Sequence, residues 1–213
     1  MVYLKVRAAT VNSGANDMTI EAQIKRQVAT KLRRAAFSVL PQINRHIAQA
    51  YQNQEFVQSL RVGLLKADFG LTESKSSSIT EGIIAELTAN TKAEFVPGTG
   101  NILGILRVTL KTGLSDSLFN QAEYKSRGKN IPWLSWLLKR GTEVVISDYE
   151  VDYTNSPKSR SGLALMKEEK GGIFRVDPKY AGTDSDNVIT RFLASEVRPL
   201  QQIMLQQIKK EFK

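Results

Sequence analysis

The chain has 213 residues, 41% of them hydrophobic and 24% charged, an ordinary globular composition that excludes collagen-like, coiled-coil and wholly disordered chains. It has no cysteine, which excludes disulfide frameworks, thiol nucleophiles and cysteine zinc sites, and its one histidine, His46, is too few for zincin helices and most catalytic triads. Thirty Lys and Arg against twenty-one Asp and Glu give +9, and the excess lies at the front: residues 1–66 carry +7, residues 67–140 carry +2 and residues 141–213 are neutral. Such asymmetry points to an acidic partner surface or a phosphate backbone, the alternative being an ordinary solvated face of a basic helix.

Val2, Leu4, Val6 and Ala8 alternate with Tyr3, Lys5 and Arg7, the period-two pattern of a half-buried strand ending near Asn12-Ser13-Gly14. Asp17 stands where a helix cap belongs, and Ile20, Ile24, Val28 and Leu32 then recur at helical spacing. The pattern resumes past Pro41 at Ile43, Ile47, Ala50 and Tyr51; the proline, which has no amide hydrogen, is expected to kink the helix or split it. Lys25, Arg26, Lys31, Arg33, Arg34 and Arg45 make the polar side of residues 17–52 almost purely cationic. Like charges on a helix repel by about a few tenths of a kcal/mol per pair, so the stripe is read as a contact for an external partner.

Residues 54–72 read as a short helix or turn closing at Gly63 and Gly70, and the serine run Ser76–Ser78 precedes Ile79, Ile83, Ile84 and Leu87 at helical spacing. A turn at Pro97, Gly98 and Gly100 leads to a strand in which Leu106, Val108 and Leu110 alternate with Arg107, Thr109 and Lys111, ended by Gly113 and Ser115. Residues 120–130 are polar and basic, the composition of a mobile loop. Pro132 then suits the first position of a short helix, with Trp133, Trp136 and Leu137 on one face, Lys139 and Arg140 in the last turn and Gly141 as a left-handed cap. Two indoles on one face make an anchor, for the protein's own core first and for a partner or membrane surface second.

From Glu143 to Tyr153 the chain alternates, with Tyr149, Val151 and Tyr153 on one face and Asp148, Glu150 and Asp152 on the other. Three carboxylates invite a metal, but same-face side chains on a strand stand about 6.6 to 7 Å apart, too far to chelate easily, and no metal is expected. After a polar loop at 155–160, residues 162–166 and 172–176 read as the two strands of a hairpin turned by KEEKG. Asp177-Pro178 stop the second strand. Asp184 or Asp186 is expected to cap a last helix, whose apolar positions run from Val188 to Ile208 with Pro199 as a second kink. The N-terminus lacks a signal-peptide pattern and no apolar run approaches a membrane span, so a cytoplasmic protein is expected. The predicted architecture is a single α+β domain over 1–213, a mostly antiparallel sheet flanked by helices, with a long kinked N-terminal helix and a C-terminal helix.

No motif of catalysis is legible: there is no Walker A sequence, no G-x-G-x-x-G and no G-x-S-x-G, and His46 in its helix reads as a solvated or capping imidazole. Neither an enzyme nor a cofactor is expected. Nucleic-acid binding by the first helix is the chemical alternative, although no aromatics interleave with its charges in the manner of a stacking platform.

Over residues 131–192 the order of elements, IPWLSWLLKRG, VVISDYEVDY, SRSGLALM, GGIFRV and KYAGTDSDNVITRFL, resembles the neck or tail-completion proteins of tailed bacteriophages, and residues 131–213 carry the best of that likeness. The resemblance implies a structural subunit joining head connector to tail in a ring of six or twelve copies, in contact with connector-side and tail-side proteins. It also implies a place at the virion neck after assembly in the host cytoplasm, with genomic DNA passing nearby and not bound sequence-specifically. Within it, Ser161 with Gly162, the Gly182-Thr183 corner and the helix start from Asn187 to Arg191 match the family's recurrent positions, with structural roles: unusual backbone angles at Gly162 and Gly182, a cap at Asn187, and an acidic neighbour for Arg191. A lumen that passes DNA avoids strong positive charge. The basic helix is therefore assigned to a protein contact through Lys25, Arg26, Lys31, Arg33 and Arg34, with Trp133 and Trp136 as apolar anchors and the hydrophilic segments 74–78, 120–130 and 154–160 ordering on assembly.

Overall fold

The computed structural model describes residues 1–7, 17–99, 102–126, 129–153 and 158–213. Its elements in chain order are β1 (Val2–Arg7), α1 (Asp17–Gln52), α2 (Glu55–Val62), α3 (Leu64–Asp68), α4 (Glu73–Ala89), β2 (Lys92–Pro97), β3 (Ile102–Thr109) and α5 (Asp116–Ala122). There follow β4 (Tyr124–Ser126), β5 (Lys129–Ile131), α6 (Trp133–Lys139), β6 (Ile146–Asp152), β7 (Leu165–Phe174), α7 (Val188–Ser195) and α8 (Val197–Glu211). The fold is mixed α+β, with antiparallel sheets flanked by helices, as the sequence predicts. Ala8, the Asn12-Ser13-Gly14 turn, Gly100 and residues 154–157 lie outside the described residues, and with them the expectations placed there. The chain gathers into two compact units: residues 1–47, 88–111 and 195–213 form the first, residues 48–87 and 112–194 the second.

In the first unit β3 lies between β1 and β2, with Val2 opposite Val108 and Leu4 opposite Leu106. The alternation that predicts β3 buries Leu106 and Val108, but the strand begins at Ile102, and Leu110 falls beyond its end. Gly104 is required by close packing: a Cβ there would meet the Phe95 ring at 2.5 Å and Leu32 at 2.7 Å. β2 has no counterpart in the sequence reading, because neither of its faces is well buried and no apolar alternation marks it.

α1 runs unbroken through Pro41, so of the two expected outcomes, a kink or a split, the split does not occur. Both Pro41 and Phe37 are exposed, so the Phe37 carbonyl that loses its intrahelical donor faces water and can be solvated. Val28, Leu32, Ala35, Val39, Ile43 and Ile47 form its buried stripe, whereas Ile24 is exposed and the packing starts one turn later than the periodicity suggests. Asp17 opens the helix as its first residue, and the cap position before it lies outside the described residues.

α8 is tied to α1 by two polar contacts: Gln42 Nε2 donates to Gln207 Oε1 at 2.9 Å, and His46 Nε2 stands 2.6 Å from Glu196 Oε2. His46 is thus neither freely solvated nor a cap, but the partner of a buried carboxylate. The last helix is two, and the break is at Glu196, not Pro199. A proline at 199 cannot donate to the Ser195 carbonyl and crowds it, so the first helix ends there and Pro199 sits in the opening turn of α8, where no donor is missed.

In the second unit Tyr51 is fully buried, with edge-on contacts to Phe56 at 5.4 Å and Phe192 at 5.6 Å. α4 begins before the serine run and absorbs it: Ser76 is buried and its hydroxyl donates to the Leu60 carbonyl at 2.6 Å, so segment 74–78 is no hydrophilic loop awaiting a partner. Ser115 opens a helix instead of merely closing a strand; its Oγ accepts from the Leu118 N–H at 3.2 Å, and its own N–H donates to Glu86 at 2.7 Å. Within the presumed loop 120–130 lie the end of α5 and the short ladder β4–β5.

The expected KEEKG hairpin is also corrected, since those residues lie inside β7, which pairs antiparallel with β6. Ile146 to Ser147 pair with Phe174 to Ile173, and Tyr149 to Asp152 pair with Glu168 to Leu165. Residues 169–172 therefore bulge opposite the single Asp148. Asp148 (φ 59°) and Gly171 (φ 80°) both take left-handed backbone, and the Gly171 N–H donates to Asp148 Oδ1 at 3.0 Å. A pair of glycines that signals a turn is here the core of a bulge.

Candidate functional site

The basic residues of the sequence reading stay on the outside of α1, and the structure adds a residue that the reading missed. Phe37 is 85% exposed. At 100° per residue it lies on the side of the helix away from the buried stripe, one turn beyond Arg33 and Arg34 and one turn before Pro41, with Arg26 further back on the same side. Arg26, Arg33 and Arg34 are exposed, and no carboxylate among the described residues forms an ion pair with them. Arg33 lies over the Phe95 ring at 5.3 Å and the half-buried Lys31 over Phe212 at 5.1 Å, which holds both cations on aromatic faces of their own unit. Lys25 is exposed on the preceding turn. From residue 22 to residue 54 the chain has six Lys and Arg and no Asp or Glu. The signal for Phe37 was available, an aromatic opposite the apolar stripe and flanked at i−3 and i−4 by arginine.

The tryptophans separate. Trp133 is fully buried, its Nε1 donating to the Ala122 carbonyl at 2.6 Å and its ring 5.4 Å from Phe69, so it is a core anchor and not a partner contact. Trp136 is half-buried against Phe174 at 6.3 Å. Gly141 takes the left-handed angle expected of the residue after the helix, with φ 57°.

The matched positions of the resemblance are structural in geometry. Gly162 has φ 73°, and Ser161 Oγ accepts from the N–H groups of Leu163 at 3.2 Å and Ala164 at 3.4 Å, closing the turn into β7. Gly182 is needed for space, not for an unusual angle: a Cβ there would sit 2.6 Å from Asn187 Cα. The cap of α7 is Asn187, not Asp184 or Asp186; its Oδ1 accepts from the N–H groups of Ile189 at 3.0 Å and Thr190 at 3.1 Å, while its own N–H donates to Thr190 Oγ1. Asp186 instead takes Arg191 at 3.3 Å, the acidic neighbour that the sequence suggests.

The three carboxylates of β6 do not converge: Asp148 holds the bulge, Asp152 pairs with Lys167, and Glu150 is exposed. Beyond the end of β6, Tyr153 Oη donates to Asp68 Oδ1 at 2.6 Å. Burial pushes the Asp68 carboxyl above the ordinary carboxylate range, against the hydrogen bond from Tyr153 and with added repulsion from Asp177. A folded state that holds this proton more tightly than the unfolded chain has the benefit in full below the unfolded value of 3.8 and loses it as pH rises through the raised value. Asp68→Asn, which keeps the acceptor for Tyr153, is therefore expected to stabilise the protein at pH 7 by less than about 1 kcal/mol, solvent screening holding the gain down. Urea titrations at neutral and acid pH check it, the gain disappearing in acid.

No helix among the described residues is long and apolar enough to cross a membrane. Comparison of the chain with known protein families, curated proteins and solved structures gives no match.

Proposed function

We propose that this chain is a non-catalytic structural subunit of the neck of a tailed-phage virion, one member of a ring that joins head connector to tail, docking on an acidic protein through the outward face of α1. The resemblance carried by the sequence of residues 131–192 supports the first part. The observation that carries the docking is Phe37, bare among Arg26, Arg33 and Arg34. An aromatic ring flanked by guanidiniums is the composition of the tightly held centre of a protein interface, and covering such a ring is worth about 1.5–3 kcal/mol. A phosphate backbone gains little from it.

The variant R26E/R33E/R34E is expected to keep its circular-dichroism spectrum and melting temperature while lowering the yield of a head–tail joining reaction about tenfold or more, and Phe37→Ala to lower it in the same direction. Unchanged joining by both variants would remove this reading. The carboxylate-free run 22–54 supports nucleic acid as the second reading. That reading forecasts duplex binding in a gel shift that falls steeply with salt and is indifferent to Phe37→Ala.

A further inference from the structure

We propose that the outer face of the β1–β3–β2 sheet binds the phosphate backbone of double-stranded nucleic acid, a site apart from the docking face of α1 and independent of the neck reading. The whole charge excess of the protein lies in the first unit. Residues 1–47, 88–111 and 195–213 carry fifteen Lys and Arg against five Asp and Glu, a net +10, whereas residues 48–87 and 112–194 carry fifteen against sixteen, a net −1. Such a charge on one compact unit is the electrostatic footprint of a polyanionic partner. α1 supplies six of the fifteen cations and the sheet four.

The register puts those four on one face. Gly104, Leu106 and Val108 turn inward and are buried, and a Cβ on Gly104 would meet Leu32 of α1 on that side. Ile105, Arg107 and Thr109 therefore turn outward, and Lys5 stands opposite Ile105 and Lys92 opposite Thr109, on the same side of the sheet. Arg7 is next on that side by alternation along β1, beyond the shift of register after Val6. Lys5, Arg7 and Lys92 are exposed. The one acid that the register places there, Glu94, takes Arg107 at 3.2 Å. Lys5 and Arg7 stand about 6.6–7 Å apart, about two steps of 3.4 Å along one strand of a duplex. Val96 and Ile105, opposite each other between these cations, are half-buried, in contrast to the bare Phe37 of α1. The attraction of this face is therefore one of charge, which suits phosphates better than a protein surface. It grips a duplex whatever its sequence and does not line a passage through which one slides.

A gel shift of the full chain with a duplex of arbitrary sequence tests this, using two variants that each remove three charges: K5Q/R7Q/K92Q on the sheet and R26Q/R33Q/R34Q on α1. Three phosphate contacts should make wild-type affinity fall about 40-fold between about 50 and 200 mM salt. The sheet variant should bind about tenfold or more weakly at the lower salt and lose most of the salt dependence, with unchanged circular dichroism. The α1 variant should keep both the affinity and the dependence. A wild-type chain that binds no duplex at the lower salt overturns the inference and leaves the docking reading standing; a fall in head–tail joining by the sheet variant then makes the face a protein contact. Duplex binding lost in the α1 variant and kept in the sheet variant overturns it too, and assigns nucleic acid to the helix. An equal loss in both variants shows attraction to net charge with no site on the sheet, and overturns it as well.

Discussion

Trp133→Ala should cost about 3–5 kcal/mol, the largest loss from any single truncation proposed for this protein. The indole is fully buried, packs against Phe69, and spends its one donor on the Ala122 carbonyl at the end of α5. Truncation therefore opens a void and strands a buried acceptor together. Trp133→Phe restores most of the volume but not the donor, and should cost about 1–3 kcal/mol. Denaturant titrations read both, with Trp136 as the one remaining indole fluorophore. Because the chain forms two compact units, the transition to follow is that of the second unit, which holds both tryptophans. A shift below about 1 kcal/mol for the alanine variant would show that the indole is not the anchor described.

Gly182→Val should cost about 3 kcal/mol or more, exceeding the usual range for overpacking because the obstacle is backbone. The Gly182 carbonyl accepts from the Gly141 N–H at 2.8 Å, and the next amide, Thr183, donates to the Asp186 carbonyl at 2.7 Å, so the corner cannot swing aside without breaking both. A β-carbon there meets Asn187 Cα at 2.6 Å, and Asn187 is the cap of α7. The substitution thus strains the corner and displaces the cap in one stroke. Gly182→Ala, with two methyls fewer, should fall about 1–3 kcal/mol below wild type in the same titration. Equal stability of the valine variant would mean that the corner yields and that the close approach is unimportant.

What could be read from the sequence was what a local pattern carries. The alternation from Val2 to Arg7, the apolar stripe of α1 from Val28 to Tyr51 and the punctuation of the tryptophan helix each depend on neighbours within a turn or two, and each is found, except that Pro132 takes the position before the helix and not its first residue, and Arg140 the position after its last. Features set by distant partners were not legible. His46 meets Glu196 across 150 positions, and Ser76 meets the Leu60 carbonyl across sixteen, so nothing beside either residue tells a buried partner from water. β7 misleads for another reason: most of it is exposed, so burial does not force alternation on Lys167 to Gly172, and polar residues with two glycines look like a turn. At the start of α7, Asp184, Asp186 and Asn187 are all good caps, and the packing of Gly182 against Asn187 selects among them. Of the candidate surface, the charges of α1 are legible in the sequence, and Phe37 is marked by its spacing although the sequence reading does not single it out.

The first unit has a consequence for how the protein is made. It needs residues 195–213 as well as 1–47 and 88–111, whereas every residue of the second unit has been synthesised by Ala194. On the ribosome, the stripe of α1 therefore lacks α8 with its Gln207, and the Glu196 that precedes it, until residues 195–213 have left the exit tunnel. A nascent chain stalled before it exposes leucine, valine and isoleucine beside a cluster of cations, the kind of surface that chaperones hold and that aggregates when they do not.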